Sequence, residues 1–154
     1  MDGLMSELRE LYQEVILDHK KHPRNFRKID PCSHQANGHN PFCGDKLELY
    51  LVVEDAVIKD ISFVGSGCAI STSSASLMTE ILKGKTVEEA RALFEHFHDL
   101  VTGRELAADT LSKLGKMAVF AGVQEFPARI KCASLSWHTL MNALEDKQEP
   151  AQTE

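Results

Sequence analysis

Apolar and polar residues alternate most sharply in "DKLELYLVVE", residues 45–54, where Leu47, Leu49, Leu51 and Val53 share one face. That period of two predicts a strand. "VIKDISFVG" follows after a Glu54-Asp55-Ala56 turn, with Ile58, Ile61, Phe63 and the small Gly65. Two strands with so short a link predict an antiparallel hairpin. Upstream, "MSELRELYQEVILDHKKH" sets Leu8, Leu11, Tyr12, Val15 and Ile16 at helical spacing and stops at Pro23, the pattern of an amphipathic helix. The polar stretch from there to about Pro41, rich in Asn, Gly, Pro and His, reads as a loop.

After Gly65-Ser66-Gly67 the period becomes helical, and "CAISTSSASLMTEILKG" runs to a stop at Gly84. Thr86 and Glu89 fit a capping box that opens a third helix through Ala90, Leu93, Phe94 and Phe97. "RELAADTLSKLGKMAVFAGV" predicts a further helix with a break near Gly115. Pro127 suits a first helical turn, and Ile130, Ser134, Trp137, Met141 and Leu144 continue that helix along one face. "EDKQEPAQTE" reads as a frayed acidic tail. Strands first and helices afterwards predict an α+β fold, with helices packed on one face of a small antiparallel sheet of about three strands. The expected organisation is a single domain over 1–154, ordered over about 5–146, with a flexible tail at 147–154.

Composition narrows the function classes. At 154 residues and 43% hydrophobic the chain can bury one sizeable core. A net charge of -6 gives no general footprint for nucleic acid. The one basic stretch, His19 to Lys28, lacks an aromatic platform; it reads as a solvated helix end and loop, or as a surface for an acidic partner. No continuous apolar run reaches membrane-spanning length and the first residues lack a secretory h-region, so a cytoplasmic protein is expected. Four cysteines in such a chain suggest metal ligands or reactive thiols rather than disulfides.

Three of those thiols fall at telling places. Cys43 lies just before the first predicted strand, Cys68 at the start of a helix, and Cys132 in the first turns of the last helix. A helix N-terminus carries partial positive charge and favours thiolate over thiol. Asp45 stands two residues after Cys43, so on a regular strand both side chains point the same way, and Gly44 between them leaves room for a metal or a partner's side chain. Three thiolates and a carboxylate would make four ligands, the number a tetrahedral zinc site needs, and sulfur-rich ligation favours Zn, Cu(I) or iron–sulfur clusters over Mg or Ca. The spacings contain no Cys-x-x-Cys pair, and buried inert cysteines fit them as well.

The surrounding residues carry more. "NPFCGD", "GSGCAISTSSASLMTE" and "FPARIKCASLSWHTL", with "LYQEVILDHKKHPRNF" ahead of them, closely resemble the NifU N-terminal/IscU superfamily of iron–sulfur assembly proteins. The resemblance runs from about Ser6 to Leu144, with the motifs in family order. It implies a SufE/NifU-like α+β fold. The IscU branch carries a histidine immediately before the third family cysteine, within a Leu-Pro-Pro-Val-Lys-type motif. Here Lys131 holds that position, no Pro-Pro motif occurs, and Gly103 to Gly122 looks like an added helical segment. These departures resemble the SufU branch of zinc-dependent sulfur carriers.

On that resemblance, Cys43, Asp45, Cys68 and Cys132 are the implied zinc ligands. Cys43 is the implied acceptor of persulfide sulfur from a SufS-type cysteine desulfurase, for delivery to SUF assembly machinery. Arg129, three residues before Cys132, matches the branch's arginine and would offset ligand charge or contact the partner. The expectation is a zinc-dependent sulfurtransferase and a monomer or weak oligomer, in which a desulfurase side chain replaces Cys43 on the metal. The alternative is a scaffold, not an enzyme, on which the same residues hold iron as a transient [2Fe–2S] cluster. A structural zinc or regulatory binding module is the third reading, and a Cys-His hydrolase is disfavoured because no histidine is well placed beside a cysteine.

The remaining candidates read more plainly. Cys32 matches no family cysteine and is expected to be a loop thiol. His34 and His39 are read as surface loop histidines. His138, six residues after Cys132, is a poor ligand candidate, and of His96 and His98 at least one is expected to be solvated. Met78 and Met117 are core filler, and Trp137 a core or partner-facing aromatic. Gly65-Ser66-Gly67 lacks a Gly-Lys-Ser/Thr ending and is read as a strand-to-helix turn.

Overall fold

The structure, a computed structural model, describes residues 13–146 and 150–152. The expected positions Leu8, Leu11 and Tyr12, and residues 147–149 and 153–154 of the expected tail, lie outside them. The first described element, α1 (13–21), carries Val15 and Ile16 half-buried and His19 buried.

The predicted hairpin is present as β2 (Asp45–Glu54) and β3 (Val57–Ser66). Leu47, Leu49 and Leu51 stand opposite Gly65, Phe63 and Ile61 across the antiparallel ladder. Asp55 and Ala56 both take positive φ, 53° and 61°. That suits a two-residue turn whose twist matches the flanking strands.

The polar stretch read as a loop is in part a strand, β1 (His34–Asn40), antiparallel to β2 with Ala36 opposite Leu49 and Asn40 opposite Asp45. Its inward positions are Ala36, Gly38 and Asn40, small or polar, so no hydrophobic alternation announces it. His34 and His39 are therefore half-buried strand residues and not loop residues. Ala151–Gln152, in the segment expected to fray, forms a two-residue strand, β4, parallel to β1, with Ala151 buried. The sheet order is β3-β2-β1-β4. At the outer edge of β3, the Arg27 amide donates to the Phe63 carbonyl and the Phe63 amide to that of Asn25, at 3.0 and 3.1 Å.

Helices α2 (Ala69–Leu82) and α5 (Pro127–Leu144) pack side by side over the apolar face of the sheet. Ser73, Ser74, Ser76 and Thr79 of α2 are buried, and the Ser74 hydroxyl donates to the Ala133 carbonyl of α5 at 2.6 Å. Small hydroxyl residues let the two backbones approach, which fixes the spacing of their N-terminal ends. α5 is buried on more of its circumference than one stripe, from Cys132 through Trp137.

The predicted capping box opens α3 (Val87–Val101): Thr86 accepts from the Glu89 amide and Glu89 from the Thr86 amide. After α4 (Ala108–Leu114), Gly115 takes positive φ and the chain continues as a 3₁₀ segment, Gly115–Glu125, placing the break where the glycine suggested. This half packs chiefly on α2 and α5. Trp137, fully buried, stacks on Phe97 at 5.2 Å between ring centroids, and Phe97 meets Phe120 edge-on at 6.0 Å. Each such side chain contributes roughly 1.5–3 kcal/mol through burial. Among the described residues no helix is long and apolar enough to cross a membrane.

Candidate metal centre

Three chain segments meet at one end of the α2–α5 pair. The turn 41–44 between β1 and β2 brings Cys43, the first residue of β2 is Asp45, the N-cap of α2 is Cys68, and the first turns of α5 carry Cys132. The turn is closed by the Gly44 amide, which donates to the Asn40 carbonyl at 2.9 Å, and by the Phe42 amide, which donates to Asn40 Oδ1 at 3.3 Å. Gly44 takes φ +70°, and apart from its chain neighbours no described atom lies within 4 Å of where its Cβ would be. The backbone conformation calls for glycine here; crowding does not.

Cys43, Asp45 and Cys132 each offer a ligand atom, all within 4.8 Å of one another. Cys132 Sγ lies 3.3 Å from Cys43 Sγ. Cys68 stands at the edge of this group, with Sγ 4.0 Å from Asp45 Oδ2 and accepting from the Ser71 amide at 3.4 Å. Asp45 is completely buried, and its Oδ1 accepts from the Cys68 backbone amide at 2.9 Å. Gly67 makes this possible, because a Cβ there would lie 2.7 Å from Asp45 Oδ1.

The four groups differ in exposure. Cys43 is exposed, Cys68 half-buried, and Cys132 buried. Burial pushes the Cys132 thiol far up, and Cys43, Cys68 and Asp45 act in the same direction. A carboxylate and three thiols thus lie together, and burial disfavours the charged form of the innermost thiol, Cys132. Among the described residues no ion pair reaches Asp45. A soft divalent cation answers both conditions, since it compensates the charge and holds the thiols deprotonated. The donor set therefore fits zinc.

Arg129 is not brought into this group. It is exposed, and its described contact is with the Phe126 ring, 5.4 Å from the guanidinium carbon to the centroid. Lys131 lies with Nζ 4.3 Å over the ring of Phe42, itself 73% exposed. Cys32 is half-buried ahead of β1, and His138 packs edge-on to Phe94 at 5.4 Å, so neither joins the centre. One residue of the site escaped the sequence reading. Asn40 is fully buried, and its Nδ2 lies 3.4 Å from Asp45 Oδ2 and 3.5 Å from Cys132 Sγ. A polar residue five positions before Asp45 was the available signal, in a stretch read as loop.

Residues 11–133 match the family described as NifU-like N-terminal domain. The chain is 42% identical over 135 residues to the zinc-dependent sulfurtransferase SufU of Bacillus subtilis strain 168, covering 88% of this chain and 90% of that one. It is 41% identical over 140 residues to the iron–sulfur cluster assembly scaffold protein IscU of Streptococcus pyogenes serotype M1, covering 91% and 86%. Among solved structures, a candidate iron–sulfur cluster assembly scaffold protein for the SUF system from Fervidobacterium islandicum AW-1 superposes with TM-score 0.79 at 35% identity, covering 85% of this chain and 94% of that one. The matched residues take in Cys43, Asp45, Cys68 and Cys132, and this chain belongs to the family of NifU-like N-terminal domains.

Proposed function

We propose that this chain serves iron–sulfur cluster assembly as a zinc-dependent sulfur carrier, taking persulfide sulfur from a cysteine desulfurase on Cys43 and passing it to SUF assembly machinery. One observation carries the reading: an exposed thiol and two buried ligand groups, Asp45 and Cys132, converge within 4.8 Å, with Cys68 beside them. Cys43, Asp45, Cys68 and Cys132 would hold the zinc. When bound, it would supply a Lewis acid that keeps the coordinating thiols deprotonated and slow to oxidise.

The remaining chemistry belongs to the side chains. Cys43, alone among the four in being exposed, is the thiolate a persulfide can reach. Its sulfur attacks the outer sulfur of the desulfurase persulfide. A new S–S bond forms on Cys43, the S–S bond on the desulfurase breaks, and the desulfurase cysteine leaves as thiolate. Phe42 and Phe126, 73% and 51% exposed, offer the partner apolar surface next to Cys43 and at the start of α5. Arg129 and Lys131 add positive charge over these rings.

The test is metal and sulfur content of protein purified without oxygen, followed by transfer of sulfur-35 from labelled cysteine in the presence of a desulfurase. The expected result is about one zinc per chain, negligible acid-labile sulfide, and label on the parent but not on Cys43→Ala. Label on Cys43→Ala at the parent yield would remove Cys43 as acceptor. Iron and sulfide in equal amounts with zinc absent would favour the scaffold reading, which the name of the Streptococcus pyogenes relative supports.

A further inference from the structure

We propose that Asn40 is a positioning residue for the metal centre: its side-chain amide holds Asp45 and Cys132 as the retained ligands and leaves Cys43 free to depart. The proposal rests on the zinc reading above and goes beyond it by saying what decides which ligand can leave.

Asn40 is the last residue of β1 and pairs with Asp45, the first residue of β2. Its side chain is fully buried, so each of its polar atoms needs a partner. Oδ1 accepts from the Phe42 amide at 3.3 Å. That contact fixes the orientation of the amide and points Nδ2 away from the turn. Nδ2 carries two hydrogens and faces two acceptors, Asp45 Oδ2 at 3.4 Å and Cys132 Sγ at 3.5 Å.

Both acceptors are buried, and both bear negative charge as ligands. A neutral amide donating to each adds no charge of its own, yet it orients the carboxylate and the thiolate toward a common point. Asp45 is held from the other side by the Cys68 backbone amide on Oδ1. Asp45 and Cys132 are therefore anchored by the β1 end and by the helices. Cys43 has a different environment. It sits in the turn, exposed, and its described side-chain contact is with the Cys132 thiol. The same residue that tethers two ligands caps the turn bearing the third, and its described side-chain hydrogen bonds go to Asp45, Cys132 and the Phe42 amide. Groups that orient metal ligands typically cost 10–100-fold in metal affinity when removed.

Cadmium-113 is the probe, because it reports through NMR and accepts the same thiol-rich sites. In nitrogen-15-labelled parent protein, loading with cadmium-113 is expected to shift the Asn40 side-chain NH2 pair. At least one of its protons should show coupling to cadmium through the hydrogen bond to sulfur. In Asn40→Ala, zinc affinity measured against a chromophoric chelator is expected to fall about 10–100-fold, while the metal-free variant still melts cooperatively. Asn40 NH2 resonances that do not move on loading overturn the proposal, even if Asn40→Ala fails to fold. So does an affinity within about twofold of the parent. Stoichiometric cadmium binding with an unmoved Asn40 leaves the metal centre standing without this role for Asn40. Failure of the parent to bind cadmium at all overturns both.

Discussion

Gly67 has no side chain because the Asp45 carboxylate occupies the space where one would stand, with Oδ1 2.7 Å and Cγ 3.2 Å from an added Cβ. The carboxylate has little freedom to swing aside. It is buried, and the Cys68 amide and Asn40 hold its two oxygens. Gly67→Ala is therefore expected to destabilise the metal-free protein by about 1–3 kcal/mol, the usual cost of forcing atoms into a filled site. It should also weaken zinc binding, because Asp45 is the group displaced. Denaturant unfolding of the metal-free form and chelator competition read the two effects, and an unchanged midpoint in the first would show that the loop yields freely. Gly44, by contrast, has open space around it and a positive φ. Cys43 and Asp45 were legible as a pair because they are neighbours in the chain. Asn40 and Gly67 were not, since their roles are set by atoms brought together only across the fold, such as the Cys132 sulfur on α5.

The elements that declared themselves did so through strong local chemistry. The β2–β3 hairpin has regular apolar alternation, and α3 begins at a Thr86–Glu89 box that satisfies two backbone amides reciprocally. β1 stayed hidden because its inward face is Ala36, Gly38 and Asn40, and its place in the sheet comes from β2 beside it. The contact of α1 with α2 was equally silent. His19 on α1 is 1% exposed, with Nδ1 2.7 Å from the Ser76 hydroxyl and Nε2 3.5 Å from Glu80. Burial lowers its pKa below the ordinary 6.5, joined by the Arg24 charge and outweighing Glu80 and Asp18; Lys116 also opposes protonation. The unfolded chain thus takes up this proton at higher pH than the folded one. The stabilisation is present above about pH 6.5 and is lost as pH falls toward the lower folded value. His138, also depressed by burial, acts with the same sign. The decisive quantity is accordingly the difference between parent and His19→Gln. The variant should lose less stability between about pH 7 and pH 5.5, and equal slopes in denaturant unfolding would show that His19 does not titrate against the fold.

At the scale of the whole molecule, the candidate ligands come from the β1–β2 turn, the start of α2 and the start of α5, from Cys43 to Cys132. The fold class followed from the order of strands and helices, because a half-apolar sheet must be covered and the helices after it are what the chain has to cover it with. The meeting of the three segments did not follow from that order. It depends on the closeness of α2 and α5, set by contacts such as Ser74 to the Ala133 carbonyl, and a periodicity argument contains no such distance. This geometry also makes metal binding report on folding. An unfolded chain has no site, because ligands so far apart in sequence are not held together without the sheet and both helices. Zinc should therefore stabilise the native state by mass action, by about 2.7 kcal/mol when free zinc is a hundredfold above its dissociation constant. For a domain of this size that corresponds to roughly 5–10 °C in melting temperature. Calorimetry on metal-free and zinc-loaded protein should show the difference, and added chelator should remove it. Cys43→Ser keeps the buried ligands Asp45 and Cys132, so it should retain part of the gain, whereas Cys132→Ser, which alters a buried ligand of α5 that meets Asn40 of β1, should lose most of it. Identical melting with and without zinc would mean that the thiols and the carboxylate converge for a reason other than holding a metal.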